Sequence, residues 1–258
     1  MKITVLAENT TNRPELEAEH GLSLLIETED RLILFDMGQS DLFIKNAEKL
    51  GLNLRDVDIA VISHGHYDHG GGLKAFLALN STAPVYINRH AFGPHYNGTE
   101  KYIGLDTSLS HNPRLIFTDD VFEIDKNLSL FTCNDMKKDF DLGSFNLNIM
   151  DGDKFIPDNF CHEHYLLIKE SHQKTLISGC SHKGIMDITN HFKPDILVGG
   201  FHFSKLPLND TLKYYSETLR NFGTRLYTCH CTGADQYKFM KNYIPSLSYI
   251  STGDVLEI

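Results

Sequence analysis

The sequence predicts an α/β fold of four layers, an αββα sandwich, and three observations lead to it. Short apolar runs with strand character alternate with amphipathic helical stretches along most of the 258 residues. The order of these elements, strands first and then a helix, repeats in the second half of the chain. No linker-like composition interrupts the sequence, and 41% hydrophobic residues can bury a large core, so residues 1–258 read as a single domain.

Residues 2–6, 22–27 and 31–36 have strand character, the last two joined by a polar turn at 28–30. Asp41 is placed to cap a helix reaching Leu50, with Phe43, Ala47 and Leu50 on one face. Residues 58–63 and Val85–Asn88 are further strands, and 165–168 and 175–178 form a hairpin around a polar turn. Ile185–Phe192 reads as a helix stopped by Pro194, followed by a buried strand at 195–199. A helix at 212–222, a strand at 225–229 and a last strand at 249–258, with a Gly253-Asp254 turn, complete the pattern.

Alternation fails at about 90–158, which is rich in Asn, Asp, Phe and Tyr and broken by Gly93, Pro94, Gly98, Gly104 and Pro113. An irregular insertion of that length is expected to serve as a binding loop or lid. Phe92, Tyr96 and Tyr102 are candidates for substrate contact or for a small satellite core. His90, His95 and His111 are expected to be surface histidines.

The densest chemistry is Ser63-His64-Gly65-His66-Tyr67-Asp68-His69, three imidazoles and a carboxylate within six residues. Imidazole nitrogen and carboxylate oxygen are good ligands for zinc-like dications. The segment follows the apolar run Ile59–Ile62 and precedes Gly70-Gly71-Gly72 and the helical stretch Leu73–Leu79. Ligands on the turn after a strand sit at a sheet edge, where a metal can face solvent. The bland reading is a solvated loop. Fourteen histidines would scatter some pairs by chance, but not HxHxDH at the end of a strand.

These residues resemble the signature of the metallo-β-lactamase superfamily, HxHxDH after a short apolar strand. Leu32-Ile33-Leu34-Phe35-Asp36-Met37-Gly38 resembles its strand ending in an Asp-x-Gly turn. Gly21-Leu22-Ser23-Leu24-Leu25, Ser178-Gly179-Cys180-Ser181-His182, Gly199-Gly200-Phe201-His202 and His230-Cys231-Thr232-Gly233 resemble one branch of it. That branch contains enzymes similar to the archaeal dihydropterin-forming synthase of methanopterin biosynthesis, alongside many hydrolases. The likeness covers nearly the whole chain and is weakest through the middle, where the superfamily commonly covers its metal cleft.

The resemblance implies the remaining ligands. Cys180 stands where most branches place an Asp near the second metal; an inert buried thiol is the alternative. His162, eighteen residues earlier, matches the third histidine, with His164 as its rival. His182 is a candidate metal ligand or a catalytic acid or base. His230 matches the last ligand. In an extended strand Cys229 and Cys231 would face one way and His230 the other, so the three would not share one ion, and a CxC clip is the alternative. His202 is assigned to substrate contact. One ion would then take His64, His66 and His162, and the other Asp68, His69 and His230 with Cys180 nearby or ligating. Asp36 is expected to hold the HxHxDH loop through hydrogen bonds.

Two dications ~3.5–4 Å apart would share a hydroxide that attacks carbonyl or phosphorus, with Asp68 also orienting it. The thiolate favours Zn2+, with Mn2+ or Fe2+ as alternatives. The leading expectation is thus a metal-dependent, dinuclear zinc hydrolase acting on a small phosphoester, cyclic phosphodiester or lactone-like substrate. The alternatives are synthase-type chemistry on a pterin precursor, a di-iron redox protein, and a metal-binding protein without turnover. The redox proteins of this fold tend to carry Glu where this chain has His66. A net charge of −10 argues against a nucleic-acid surface but permits an anionic small-molecule substrate once dications are bound. No run approaches the ~18 apolar residues of a membrane span, and the N-terminus reads as a strand instead of a signal peptide. Five cysteines without framework spacing suit a reducing, cytoplasmic setting. Nothing in the pattern specifies an oligomer.

Overall fold

A computed structural model describes residues 1–258. The chain forms two compact units, Met1–Asp119 with Asn146–His162 and Ser251–Ile258, and Asp120–Phe145 with Glu163–Ile250.

The first unit is built on a seven-stranded sheet ordered Val255–Glu257, Lys2–Ala7, Ser23–Glu27, Leu32–Phe35, Ile59–Ile62, Val85–Asn88, Leu115–Thr118. Pairing is antiparallel up to Leu32–Phe35 and parallel beyond it. Ile59–Ile62 is buried at every position, which is why it reads as an unbroken apolar run and not as an alternation. Helices Leu42–Lys49 and Leu73–Leu79 cover one face: Phe43, Ala47, Leu73 and Phe76 pack with Leu34, Ala60, Ile62 and Val85. Fully burying a side chain such as Phe76 contributes about 1.5–3 kcal/mol. A small antiparallel sheet of four strands, Lys154–Pro157, Leu147–Asp151, His95–Asn97 and Lys101–Tyr102, belongs to the same unit.

The second unit carries its own seven-stranded sheet, ordered Ser248–Tyr249, Arg225–Thr228, Ile196–Gly199, Gln173–Ser178, Tyr165–Glu170, Leu128–Phe131, Val121–Glu123. The strands from Gln173–Ser178 to Ser248–Tyr249 are parallel. Helices Ile185–Phe192, Asp210–Asn221 and Ala234–Lys241 cover its apolar face through Ile188, Leu212, Leu219 and Met240 against Leu176, Leu197 and Leu226. The Asn209 side chain caps the longest of these helices by accepting from the N–H groups of Thr211 and Leu212.

The register positions the chemistry. In the first unit Phe35 pairs with Val61 and Ile62 with Ile87, so Asp36 and the Ser63–His69 turn leave the same sheet edge. In the second, Ser178, Gly199 and Thr228 are in register, and the loops carrying Cys180, His202 and His230 leave the carboxyl ends of adjacent parallel strands. Ligand sites in α/β sheets sit at such ends.

Two expectations are corrected, and one helix was not foreseen. The irregular segment at 90–158 contains seven strands, which escape the pattern because they are only two to five residues long and none is buried throughout. The single strand at 249–258 is two strands, Ser248–Tyr249 in one sheet and Val255–Glu257 in the other, parted by Gly253 at φ 92. Helix Ala234–Lys241 had no amphipathic signal because Met240 is its one buried residue.

Candidate metal site

Asp36 is the keystone of the first unit's histidine cluster. It is fully buried in a left-handed conformation (φ 58), and its carboxylate accepts from the Ser63 N–H, the Ser63 hydroxyl and His69 Nδ1, each at 2.7 Å. The hydroxyl of Ser63, committed as donor to Asp36, accepts from His64 Nδ1 at 2.9 Å. With Nδ1 as donor, both imidazoles carry their lone pair on Nε2, the tautomer a metal ligand needs. The expected role of Asp36 is therefore present in hydrogen bonds.

The ring centroid of His64 lies 4.6 Å from that of His66 and 4.1 Å from that of His69. Burial first, and then the neighbouring His162, push the His66 pKa well below the usual imidazole range, so the ring is neutral near pH 7. The Asp68 carboxylate is 3.2 Å from His20 Nε2 and 3.9 Å from His69 Nε2. Gly65 is required within the motif, because a Cβ there would run into the backbone oxygen of Ala91.

His95 overturns the expectation of a surface histidine. It is fully buried, while His90 and His111 are exposed as expected. His66, His95, Asp158 and His162 each offer a ligand atom within 4.8 Å of the others. Asp158 accepts from His95 Nδ1 at 2.8 Å, from His162 Nε2 at 3.3 Å and from the Phe160 N–H at 2.7 Å. Burial would raise its pKa, but the hydrogen bonds and charges of His162 and His95 hold it well below the carboxylate range. His162 Nδ1 accepts from the Gly65 N–H at 2.9 Å. Both ring nitrogens of His162 thus bond within the protein and tie the HxHxDH loop to Asp158. Asp158→Asn is expected to weaken metal binding about 10–100-fold, the usual effect of losing a ligand-orienting partner. Titration against a competing chelator measures this, and unchanged affinity would contradict the arrangement.

Tyr96 packs edge-on against Tyr102 and Phe155 at 5.4 and 5.0 Å, and Phe92 joins the first unit's core. These contacts fit the satellite-core reading of the middle aromatics.

In the second unit Cys180, His182 and His230 are all buried. His182 lies beside His202, with ring centroids 4.2 Å apart. Its loop is held by Glu163, a residue with no signal in the sequence, whose carboxylate accepts from the His182 and Lys183 N–H groups at 2.9 and 3.1 Å and from the Tyr165 hydroxyl. Burial raises the Glu163 pKa against the lowering effect of Lys183. His164 is buried too but stands in none of the metal-type clusters.

The strand Arg225–Thr228 stops short of His230, which takes φ 48 and opens a 3₁₀ turn, His230–Thr232. The period-two argument for residues 229–231 therefore fails: Cys231 clusters with Cys180 and His202, their ligand atoms within 4.8 Å of one another. Burial would raise the Cys231 pKa, but hydrogen bonds with Cys180 and His202 and the charges of His230 and His202 bring it well below the thiol range. Asp36, Ser181, His202 and His230 are all left-handed non-glycine residues at strand ends. Such backbone persists where surrounding structure enforces it, often at functional sites.

A fold and a histidine–aspartate cluster of this kind define a class, and the family comparison agrees. Residues 16–217 match the Metallo-beta-lactamase superfamily, and the chain belongs to that family, with its α/β sandwich fold class. The crystal structure of Tm1679, described as a metal-dependent hydrolase of the beta-lactamase superfamily, is 30% identical, with a TM-score of 0.85 over 100% of this chain and 99% of that one. An uncharacterized protein of Methanocaldococcus jannaschii is 30% identical over 90% of each chain. The 7,8-dihydropterin-6-methyl-4-(beta-D-ribofuranosyl)-aminobenzene-5'-phosphate synthase of the same organism is 24% identical over 100% of this chain and 96% of its own. No helix is long and apolar enough to cross a membrane.

Proposed function

We propose that this protein is a metal-dependent hydrolase of a small phosphoester, cyclic phosphodiester or lactone-like substrate, working with two divalent ions, zinc foremost. The observation that carries the reading is the pre-set donor group of the first unit. Asp36 and Ser63 hold His69 and His64 in the ligating tautomer, and His66 is kept neutral beside them. In this reading His64, His66, Asp68 and His69 hold metal, with His162 and Asp158 orienting the loop that carries them. Cys180 and His230 are the second unit's own candidate ligands. When bound, divalent ions supply Lewis acidity and an activated water near neutral pH.

The chain's own groups supply the rest. Asp68 orients the attacking water, and His182 serves as acid or base toward the leaving group. Glu163 keeps His182 in place through its backbone N–H.

A second reading, synthase-type chemistry on a phosphorylated pterin precursor, is supported by the full-length match to the dihydropterin synthase. A panel of phosphodiester, phosphomonoester and lactone substrates, each with a chelator control and metal add-back, separates the two. Chelator-sensitive turnover of one class supports the hydrolase. Turnover unaffected by chelator contradicts it. Metal analysis of the same preparation distinguishes zinc from the iron of a redox protein.

A further inference from the structure

We propose that Cys180, His202 and Cys231 form a metal site of their own within the second unit, a two-thiolate, one-imidazole site for zinc with a fourth coordination position left to solvent or substrate. This goes beyond the ligands implied by the family resemblance, which include Cys180 but neither Cys231 nor His202.

The donor set is the first argument. Two sulfurs and an imidazole nitrogen lie within 4.8 Å of one another, and both cysteines are buried, at 3% and 8% exposure. Two thiolates with one histidine suit zinc and disfavour magnesium or manganese, and three protein ligands are the number found where zinc keeps an open position. His202 Nδ1 is buried with no hydrogen-bond partner, and ligation through that nitrogen would give it one.

Backbone hydrogen bonds hold the cluster together. Gly200 donates its N–H to Gly179 O at 2.9 Å, Phe201 to Thr232 Oγ1 at 2.8 Å, and Ser204 to Cys231 O at 3.0 Å. Three loops from adjacent parallel strands are thereby tied together at the cysteines. The 3₁₀ turn at His230–Thr232 returns Cys231 toward Gly200, where any side chain would collide with the Cys231 sulfur. The Thr228 and Thr232 hydroxyls lock that turn at 2.5 Å. His202 is held left-handed at φ 56 in the same loop. Rigid support of this kind is what a preformed site needs. On loading, any proton still held on the two sulfurs passes to solvent, and the Cys231 Sγ contact with Cys180 O, at 3.5 Å, gives way to metal.

The test uses the full chain and zinc alone. Metal-free protein is alkylated with iodoacetamide, with and without zinc, and the labelled cysteines are mapped by mass spectrometry. Zinc is expected to slow labelling of Cys180 and Cys231 together, about tenfold or more, and to leave the half-buried Cys161 unchanged. In the cobalt-loaded chain, the thiolate-to-metal absorption should fall by about half in Cys231→Ser, and His202→Ala should weaken cobalt binding about tenfold. Protection of Cys180 alone, or of neither cysteine, overturns the proposal. So does thiolate absorption unchanged in Cys231→Ser. None of these readouts depends on turnover, so they stand apart from the hydrolase assay.

Discussion

Alanine at His66 or Asp68 is expected to strip metal from the protein and to lower kcat/KM on the order of 10³-fold, since a catalytic dication supplies several kcal/mol of charge stabilisation and each 1.36 kcal/mol is tenfold. His66 is buried and neutral, so its replacement removes a ready donor from the cluster. Asp68 is the one carboxylate of the HxHxDH motif, and its 3.2 Å contact with His20 gives no substitute anion once it is gone. Metal content and steady-state kinetics on the same preparations check both variants. Full metal content with full activity in either would remove that residue from the site.

The second large effect is expected at Asp36, and it is one of stability. Asp36→Ala leaves the Ser63 N–H, the Ser63 hydroxyl and His69 Nδ1 without their acceptor in a fully buried place. Orphaning a buried donor costs about 1–3 kcal/mol, so the loss should reach about 3–5 kcal/mol. At roughly 2–4 °C per kcal/mol for a chain of this size, Tm should fall by about 10 °C. Metal affinity should drop with it, because His64 and His69 lose the groups that fix their tautomers. Thermal unfolding of the metal-free protein isolates the stability term. A metal-free Tm within a degree or two of the parent would show that these hydrogen bonds are not holding the loop.

Legibility in the sequence followed the range of the contact. HxHxDH was readable because its ligands share one turn after one buried strand, and Asp36 because its Asp-x-Gly turn resembles the family's pattern. The alternation of strands and helices was readable wherever strands were apolar through both faces, as at Ile59–Ile62 and Ile196–Gly199. It failed at 90–158, where strands of two to five residues are too short to leave a period. His95 and Asp158 are 63 residues apart and meet only through the small sheet and its loops, so neither carried a local signal. Cys231 was misplaced for another reason. A strand period was extended through His230, where the backbone turns left-handed and the period ends.

The central claim is that metal held by this histidine–aspartate cluster does the chemistry. The most direct test is turnover of the panel's best substrate by chelator-stripped protein, before and after zinc is restored, with metal content measured in the same samples. The account predicts turnover that disappears with the metal and returns in proportion to the zinc bound. Undiminished turnover in metal-free protein would contradict it.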